Sequence, residues 1–571
     1  MKLSNLIIII PCLTIAAYLA YKTEHAKLMH DIKTAMQLQS VPGNMLNYGQ
    51  LGDILKNEGL VKAVPNDYDI YQKTNKDNLF PSENIFQKKR IIDDIIFQSN
   101  SEGYNGFTST QSISPQIIDQ GYPIIAITCP NADLYSLASG IVVNYQRRGD
   151  DWERLCQISY FDKGILQFAT SAGLRLHGGK SRKLKSGLVG DALVAAAKNK
   201  FSSFRFYFRK KYGTQAFKPN VLFGRETYPI RTLVLRNMGV AKWPFKACMG
   251  FDIADQIGSV TPLHTPVAIY LNGQQYGVGF LAEHLSVKQW TARLGHDQFA
   301  MHRYKGTSDD ATKLQYQQLV RWAMDRTQRL SLKQAAGRID IDNFTNYLMT
   351  LMYTGVSDGL QGAALLDMST ATPVWQWINW DLTNVKWRSP KTDSIEWGFA
   401  KKGYGGLQPL IFSRLLQEDP QYVTYFLDAI TDLVNHRISL SFIKNRIEYY
   451  DNLCVAFAIK EGNQLAGTPF FTGRPRTIFA SLDKYFKIGP PIECTIDFPP
   501  TVQILIDNHL YTAAYKGLYR KGAVLKLDIP KQNQSQFSYW LINGKKYPKQ
   551  TIAINVQNNL NIKCVLINAG F

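Results

Sequence analysis

The sequence has no CxxC pair. Its seven cysteines (Cys12, Cys129, Cys156, Cys248, Cys454, Cys494 and Cys564) are widely spaced, which excludes zinc-ribbon and thioredoxin-like chemistry. It has no helix-turn-helix, zinc-finger or RNA-recognition signature, so nucleic acid is disfavoured as a partner. A Walker A loop is missing as well. Gly179-Lys180-Ser181 would need a glycine five residues before Gly179, where Leu174 stands. There is no internal repeat and no low-complexity tract. Long apolar runs are absent with one exception, Leu3–Tyr21, which carries no charge and lies between Lys2 and Lys22.

That run approaches membrane-spanning length and has no clean small-x-small cleavage site after it. Residues 1–21 therefore read as a signal anchor or a signal peptide, with the anchor fitting better. Either one places the chain in the cell envelope, membrane-anchored or secreted. The 571 residues suggest two to four domains. Hydrophobic residues make up 45% and charged residues 19%, which fits packed globular structure and not disorder. Sixty-five Lys and Arg face 45 Asp and Glu, a formal charge of +20. An excess of that size favours anionic partners such as phosphates, acidic polymers or membrane surfaces.

Local patterns divide the chain. Residues 22–115 read as a linker with a local helix near His25–Gln39. Between 122 and 170, the segments YPIIAITC, ASGIVVNY, CQISYFD and GILQFAT are short and β-branched and read as strands. Asn272-Gly273 between apolar runs signals a hairpin. Apolar residues at helical spacing predict a helix over Asp342–Tyr353, with Asp342 suited to the N-cap. VWQWINWD alternates like a strand ending at Asp381. Residues 491–571 hold six β-like segments and a second hairpin signal, Asn543-Gly544, and so suggest a small β-sandwich. Cys494 and Cys564 in that region could pair if exported, or remain separate buried thiols.

Three features could carry chemistry. The glycine-rich segment AGLRLHGGKSRK, residues 172–183, brings backbone amides together with Arg and Lys, as phosphate contact requires. In FRFYFRKKYG, residues 204–213, Arg205, Tyr207 and Arg209 share one strand face. Glu283, Asp358 and Asp381 stand at element ends, where carboxylates can hold a metal or accept a hydroxyl proton. Each feature also has a plain structural reading: a basic turn, a solvated strand edge, and helix or strand caps.

In order along the chain, SGIVVNYQRRGDDWERLCQISYFD, SAGLRLHGGKSR, SSFRFYFRKKYG, TLVLRNMG, IYLNGQQYGVGFLAEHLS, IDNFTNYLMTLMYTGVSDG, WQWINWDLTNVKW and RPRTIFASLDKYFKI resemble the motifs of the CotH (spore coat protein H) kinase family. The resemblance spans roughly residues 122–571. It implies an α/β (α+β) fold with an atypical, two-lobed protein-kinase-like domain over 116–490, including the preceding β region. A β-sandwich over 491–571 would follow. It also implies ATP and Mg²⁺ or Mn²⁺ as cofactors and phosphate transfer to Ser or Thr of an envelope protein. By the same resemblance Asp358 is the catalytic acid, Asp381 and Glu283 serve the metal, and Arg175, Arg182 and Arg205 lie near the nucleotide. The family's phosphate-binding Lys falls on Ser202, with Lys200 close by. Thr383 replaces the family's second metal acid, and Gly362 and Ala363 stand where the family has an Asn pair. These departures keep open an alternative reading, a catalytically weakened envelope scaffold.

Overall fold

The computed structural model describes residues 121–567, apart from 214–215, 217–221, 224–227, 240–243, 305–307, 357–361, 383–406 and 458–467. The apolar run at 3–21, the linker, Asp358 and Thr383 lie outside the described residues. The chain divides into two compact units. The described residues of one come from 121–245, 263–296 and 453–457, and those of the other from 246–262, 297–452 and 468–567.

The first unit is built on a closed barrel of seven strands: β1 (Ile124–Thr128), β2 (Arg154–Asp162), β3 (Ile165–Leu176), β4 (Phe204–Tyr207), β5 (Thr232–Gly239), β6 (His264–Leu271) and β7 (Gln274–Glu283). The order around it is β1-β2-β3-β4-β5-β7-β6. A parallel pairing of β1 with β6 closes the ring, and the other neighbours are antiparallel. Closure leaves no open sheet edge. Alternate residues fill the interior, among them Ile158, Tyr160, Phe168, Leu174, Phe204 and Phe206. The predicted hairpin forms the β6–β7 turn, with φ of 50° at Asn272 and 78° at Gly273, the positive pair that a tight hairpin requires.

The segment ASGIVVNY departs from expectation. It forms turns, not a strand. The amides of Ile141 and Val142 donate to the carbonyls of Asp133 and Leu134 on the Asn131–Tyr135 helix. Ile141, Val142 and Val143 are buried in the barrel cluster. Their β-branched character serves core filling, which periodicity alone does not distinguish from strand pairing.

The second unit holds a three-stranded antiparallel sheet, β8 (Phe299–Arg303), β9 (Gly362–Asp367) and β10 (Trp375–Asn379), in the order β10-β9-β8. The Ile341–Thr354 helix packs on β10 and on the Lys246–Ile257 helix. Three helix C-termini in this unit are held by arginines. Arg414 donates to the carbonyls of Ala323 and Asp325, Arg437 to that of Ile257, and Arg474 to those of Met352 and Tyr353. A guanidinium there satisfies orphan carbonyls and meets the negative end of the helix dipole.

Residues 492–566 form two sheets. One is β14-β11-β19-β16-β17, built from β11 (Ile492–Asp497), β14 (Tyr515–Tyr519), β16 (Phe537–Ile542), β17 (Lys545–Tyr547) and β19 (Leu560–Leu566). The other is β13-β12-β15-β18, built from β12 (Ile504–Ile506), β13 (His509–Tyr511), β15 (Val524–Asp528) and β18 (Ile552–Asn555). Side chains of both, including Ile496, Ile506, Leu527, Trp540 and Ile562, share one apolar cluster. Asn543 and Gly544 make the β16–β17 turn with φ of 45° and 85°. Each of the six β-like segments contains a strand. Cys494 and Cys564 are free buried thiols, like the other four described cysteines.

Candidate functional site

The basic segments of the first unit sit on neighbouring strands. In the register of β3 and β4, Arg175 lies directly opposite Arg205. Like charges so placed repel, and the structure separates them by giving them different partners. Arg175 donates its Nε to buried Glu153 at 2.9 Å and also pairs with Asp150. Arg209 reaches Asp150 at 3.2 Å and Glu153 at 3.0 Å, and Lys211 reaches Glu153 at 3.4 Å. The hydrogen bond from Arg175 holds the Asp150 carboxyl below its usual range. The guanidinium carbons of Arg175, Arg209 and Arg205 lie 4.4, 5.0 and 5.9 Å from the centre of the Tyr207 ring. Room for Glu153 comes from Gly173, where a Cβ would stand 2.6 Å from the glutamate Cγ.

Arg205 turns the other way. It donates to the Tyr207 hydroxyl at 3.0 Å and lies 3.0 Å from His177 Nδ1. Facing a guanidinium donor, that nitrogen acts as the acceptor, and the ring is neutral. Burial, then the charges of Arg205, Arg236, His284 and Arg182, push His177 well below its usual value. Gly178, at φ 109°, turns the chain out of β3 into the short Lys180–Arg182 helical turn. Arg182 is 6% exposed and donates to the Arg147 carbonyl at 2.7 Å. Burial, then Arg148 and Arg205, draw its pKa down to about 10. Among the described residues no carboxylate pairs with Arg182 or Arg205, and the Nε of each is buried without a hydrogen-bond partner. A buried guanidinium beside a half-buried one, each with an unused buried Nε donor and no carboxylate partner among the described residues, has the chemistry of an anion site. Lys200 is half-buried, and its carbonyl accepts a hydrogen bond from Tyr276.

Glu283 ends β7, as expected, and is wholly buried. Its carboxylate accepts from the Leu263 amide at 2.7 Å, Arg293 at 2.9 Å, Gln289 at 3.4 Å and the Tyr228 hydroxyl. Burial raises its pKa. Its oxygens thus serve the backbone and Arg293.

In the second unit, β10 stops at Asn379, two residues earlier than the alternation suggests. Asp381 follows in the left-handed region at φ 55°, a conformation open to aspartate but uncommon for it. Its neighbours are anchored: Leu382 is fully buried, and Trp380 lies 6.4 Å from Phe251. The Ile341–Thr354 helix, which precedes Asp358, is held at both ends. Its N-cap is Asp340, which accepts from the Asn343 amide at 2.9 Å. Asp342, the expected cap, lies one position inside the helix and accepts from the Tyr425 hydroxyl. Asn343 bonds both the amide and the carbonyl of Trp377, at 2.5 and 3.1 Å, and Gln376 donates to Asp340 at 2.9 Å. These bonds tie the helix to β10. At the other end Gly355 caps the helix, and Arg474 holds the carbonyls of Met352 and Tyr353.

Reading the sequence missed Asp150, Glu153, His177, Asn343 and Arg474 as contributors. Asp150 and Glu153 lie in the DDWER segment, but nothing local marks a buried glutamate as the partner of arginines about 20 to 60 residues away.

Mixed helices and strands in several sheets define an α+β protein. Residues 195–464 match the family model described as CotH kinase protein, which marks a CotH kinase family domain over that span. No curated protein matches the sequence. Arg205, Glu283, Asp358 and Asp381 fall inside the matched residues, and Arg175 and Arg182 precede them. No helix among the described residues is long and apolar enough to cross a membrane.

Proposed function

We propose that this chain is an exported kinase that transfers the terminal phosphate of ATP to Ser or Thr hydroxyls of envelope or surface proteins. In this reading residues 116–490 form a two-lobed kinase-like domain, 491–571 a β-sandwich used for binding or stability, and 1–21 the membrane anchor or export signal. The observation that carries it is buried Arg182 beside half-buried Arg205, each with an unpartnered buried Nε and no carboxylate partner among the described residues. Their chemistry fits phosphate oxygens, with Lys200 as a further contact. Arg175 is already engaged by Asp150 and Glu153 and so orders the wall instead of neutralising phosphate.

Bound ATP supplies the phosphoryl group, and Mg²⁺ or Mn²⁺ offsets its charge. Magnesium sites at nucleotides use one or two protein carboxylates plus phosphate oxygens, so Asp381 suffices as the principal ligand. The oxygens of Glu283, the other expected metal acid, are taken up by Leu263, Gln289, Arg293 and Tyr228. Asp358 orients the acceptor hydroxyl and takes its proton. The engagement of Glu283, together with Thr383 in place of a second acid, favours one other reading, a scaffold that binds partners without transfer.

Incubating the full-length chain with γ-labelled and with α-labelled ATP separates these. Label from the γ position alone on protein supports the kinase, label from the α position means nucleotidyl transfer, and neither label leaves the scaffold. For the kinase, Asp381→Ala loses metal-dependent nucleotide binding with the fold intact, and Asp358→Ala keeps binding but loses transfer.

A further inference from the structure

Residues 175–211 contain eleven Lys and Arg and a single acid, Asp191. Arg175, Arg209 and Lys211 are engaged with Asp150 and Glu153, and Arg182 and Arg205 are the two arginines without a carboxylate partner described above. Of the other six, Lys183, Lys185, Lys198 and Lys210 are exposed and have no ion pair among the described residues.

Between these lysines the Gly190–Lys198 helix turns Leu193, Val194 and Ala197 toward the barrel core. Its outward residues Ala192 and Ala195 are exposed. Val189, just before it, is 77% exposed, and Phe201, just after it, 43%. Water thus meets an apolar row flanked by lysines. A soluble polyanion would neutralise the lysines but offers no apolar layer for Val189 and Phe201. An anionic bilayer takes both, since apolar side chains enter the headgroup boundary and lysines meet lipid phosphates.

We propose that the Lys183–Phe201 segment is a membrane-contact face that lies against an anionic lipid surface. It does not depend on phosphotransfer. The face would hold the barrel unit against the bilayer, whatever the 3–21 run does.

The test is hydrogen exchange of the full-length chain, read on peptides covering 183–201. It is run with phosphatidylcholine vesicles, with vesicles that also contain phosphatidylglycerol, and with soluble polyphosphate. Protection is expected with phosphatidylglycerol only, and is lost in high salt. Each lysine near an anionic surface strengthens association roughly five-fold. Neutralising Lys183, Lys185 and Lys198 to Gln should therefore weaken the contact on the order of a hundred-fold. Val189→Asp, at an exposed position, should weaken it without altering the melting temperature. Equal exchange with both vesicle types overturns the proposal, and so does protection by polyphosphate without protection by vesicles. Because the readout is local, it stands whether or not the protein transfers phosphate.

Discussion

Arg182→Gln distinguishes an arginine kept for a ligand from one kept for the fold. Arg182 is 6% exposed and faces other cations, with no carboxylate partner. Burial and the neighbouring cations draw its pKa down to about 10, which corresponds to at most about 3 kcal/mol of charge cost. Screening by water reduces that to about 1–2 kcal/mol. Against this relief, the variant loses one hydrogen bond to the Arg147 carbonyl, about 1 kcal/mol. Without nucleotide it should therefore unfold within about 1 kcal/mol of the parent, whereas breaking a buried ion pair costs about 3–5 kcal/mol. With Mg·ATP at a hundred times its dissociation constant the parent gains about 2.7 kcal/mol, or on the order of 5–10 °C in melting temperature. The variant should lose most of that gain. Thermal unfolding of both proteins with and without Mg·ATP makes the measurement. A nucleotide-free loss of about 3 kcal/mol or more, or an undiminished nucleotide shift in the variant, would refute the reasoning.

Two further expectations concern carboxylates. Glu283→Ala strands the Leu263 amide, Gln289 and Arg293 and should cost about 3–5 kcal/mol in urea unfolding; a change below about 1 kcal/mol would show that the network is idle. Glu418 is held down to about 2, chiefly by its hydrogen bond from Arg414, so its contribution is full above pH 4.5, its ordinary value, and lost as pH falls toward 2. The melting temperatures of the parent and Glu418→Gln should differ at neutral pH and converge near pH 2; a gap that is constant with pH would contradict the assignment.

Short-range signals read well. Both Asn-Gly turns, the helix before Asp358 and the six C-terminal strand segments rest on φ preference and side-chain period, which act over a few residues. Errors arose where two physical causes leave one pattern. ASGIVVNY is β-branched because it plugs a core. Asp340 and Asp342 are both sound caps by type, and the bonds to Gln376 and Trp375 settle the choice. The roles of Arg175 and Arg205 could not be told apart in sequence, since both are arginines on basic strands.

Residue order alone determined the strand and helix periods, the two hairpin turns, the concentration of positive charge over 175–211 and the motifs of the matched family. Those properties belong to neighbours in the chain. Tertiary structure decided that β1–β7 close into one barrel, that Arg175 is neutralised while Arg182 and Arg205 are not, and that Glu283 is buried among four donors. A charge is paired or left unpaired by what lies within a few ångströms of it. Glu153 and Arg175 are 22 residues apart in sequence, and only the barrel's register brings them together.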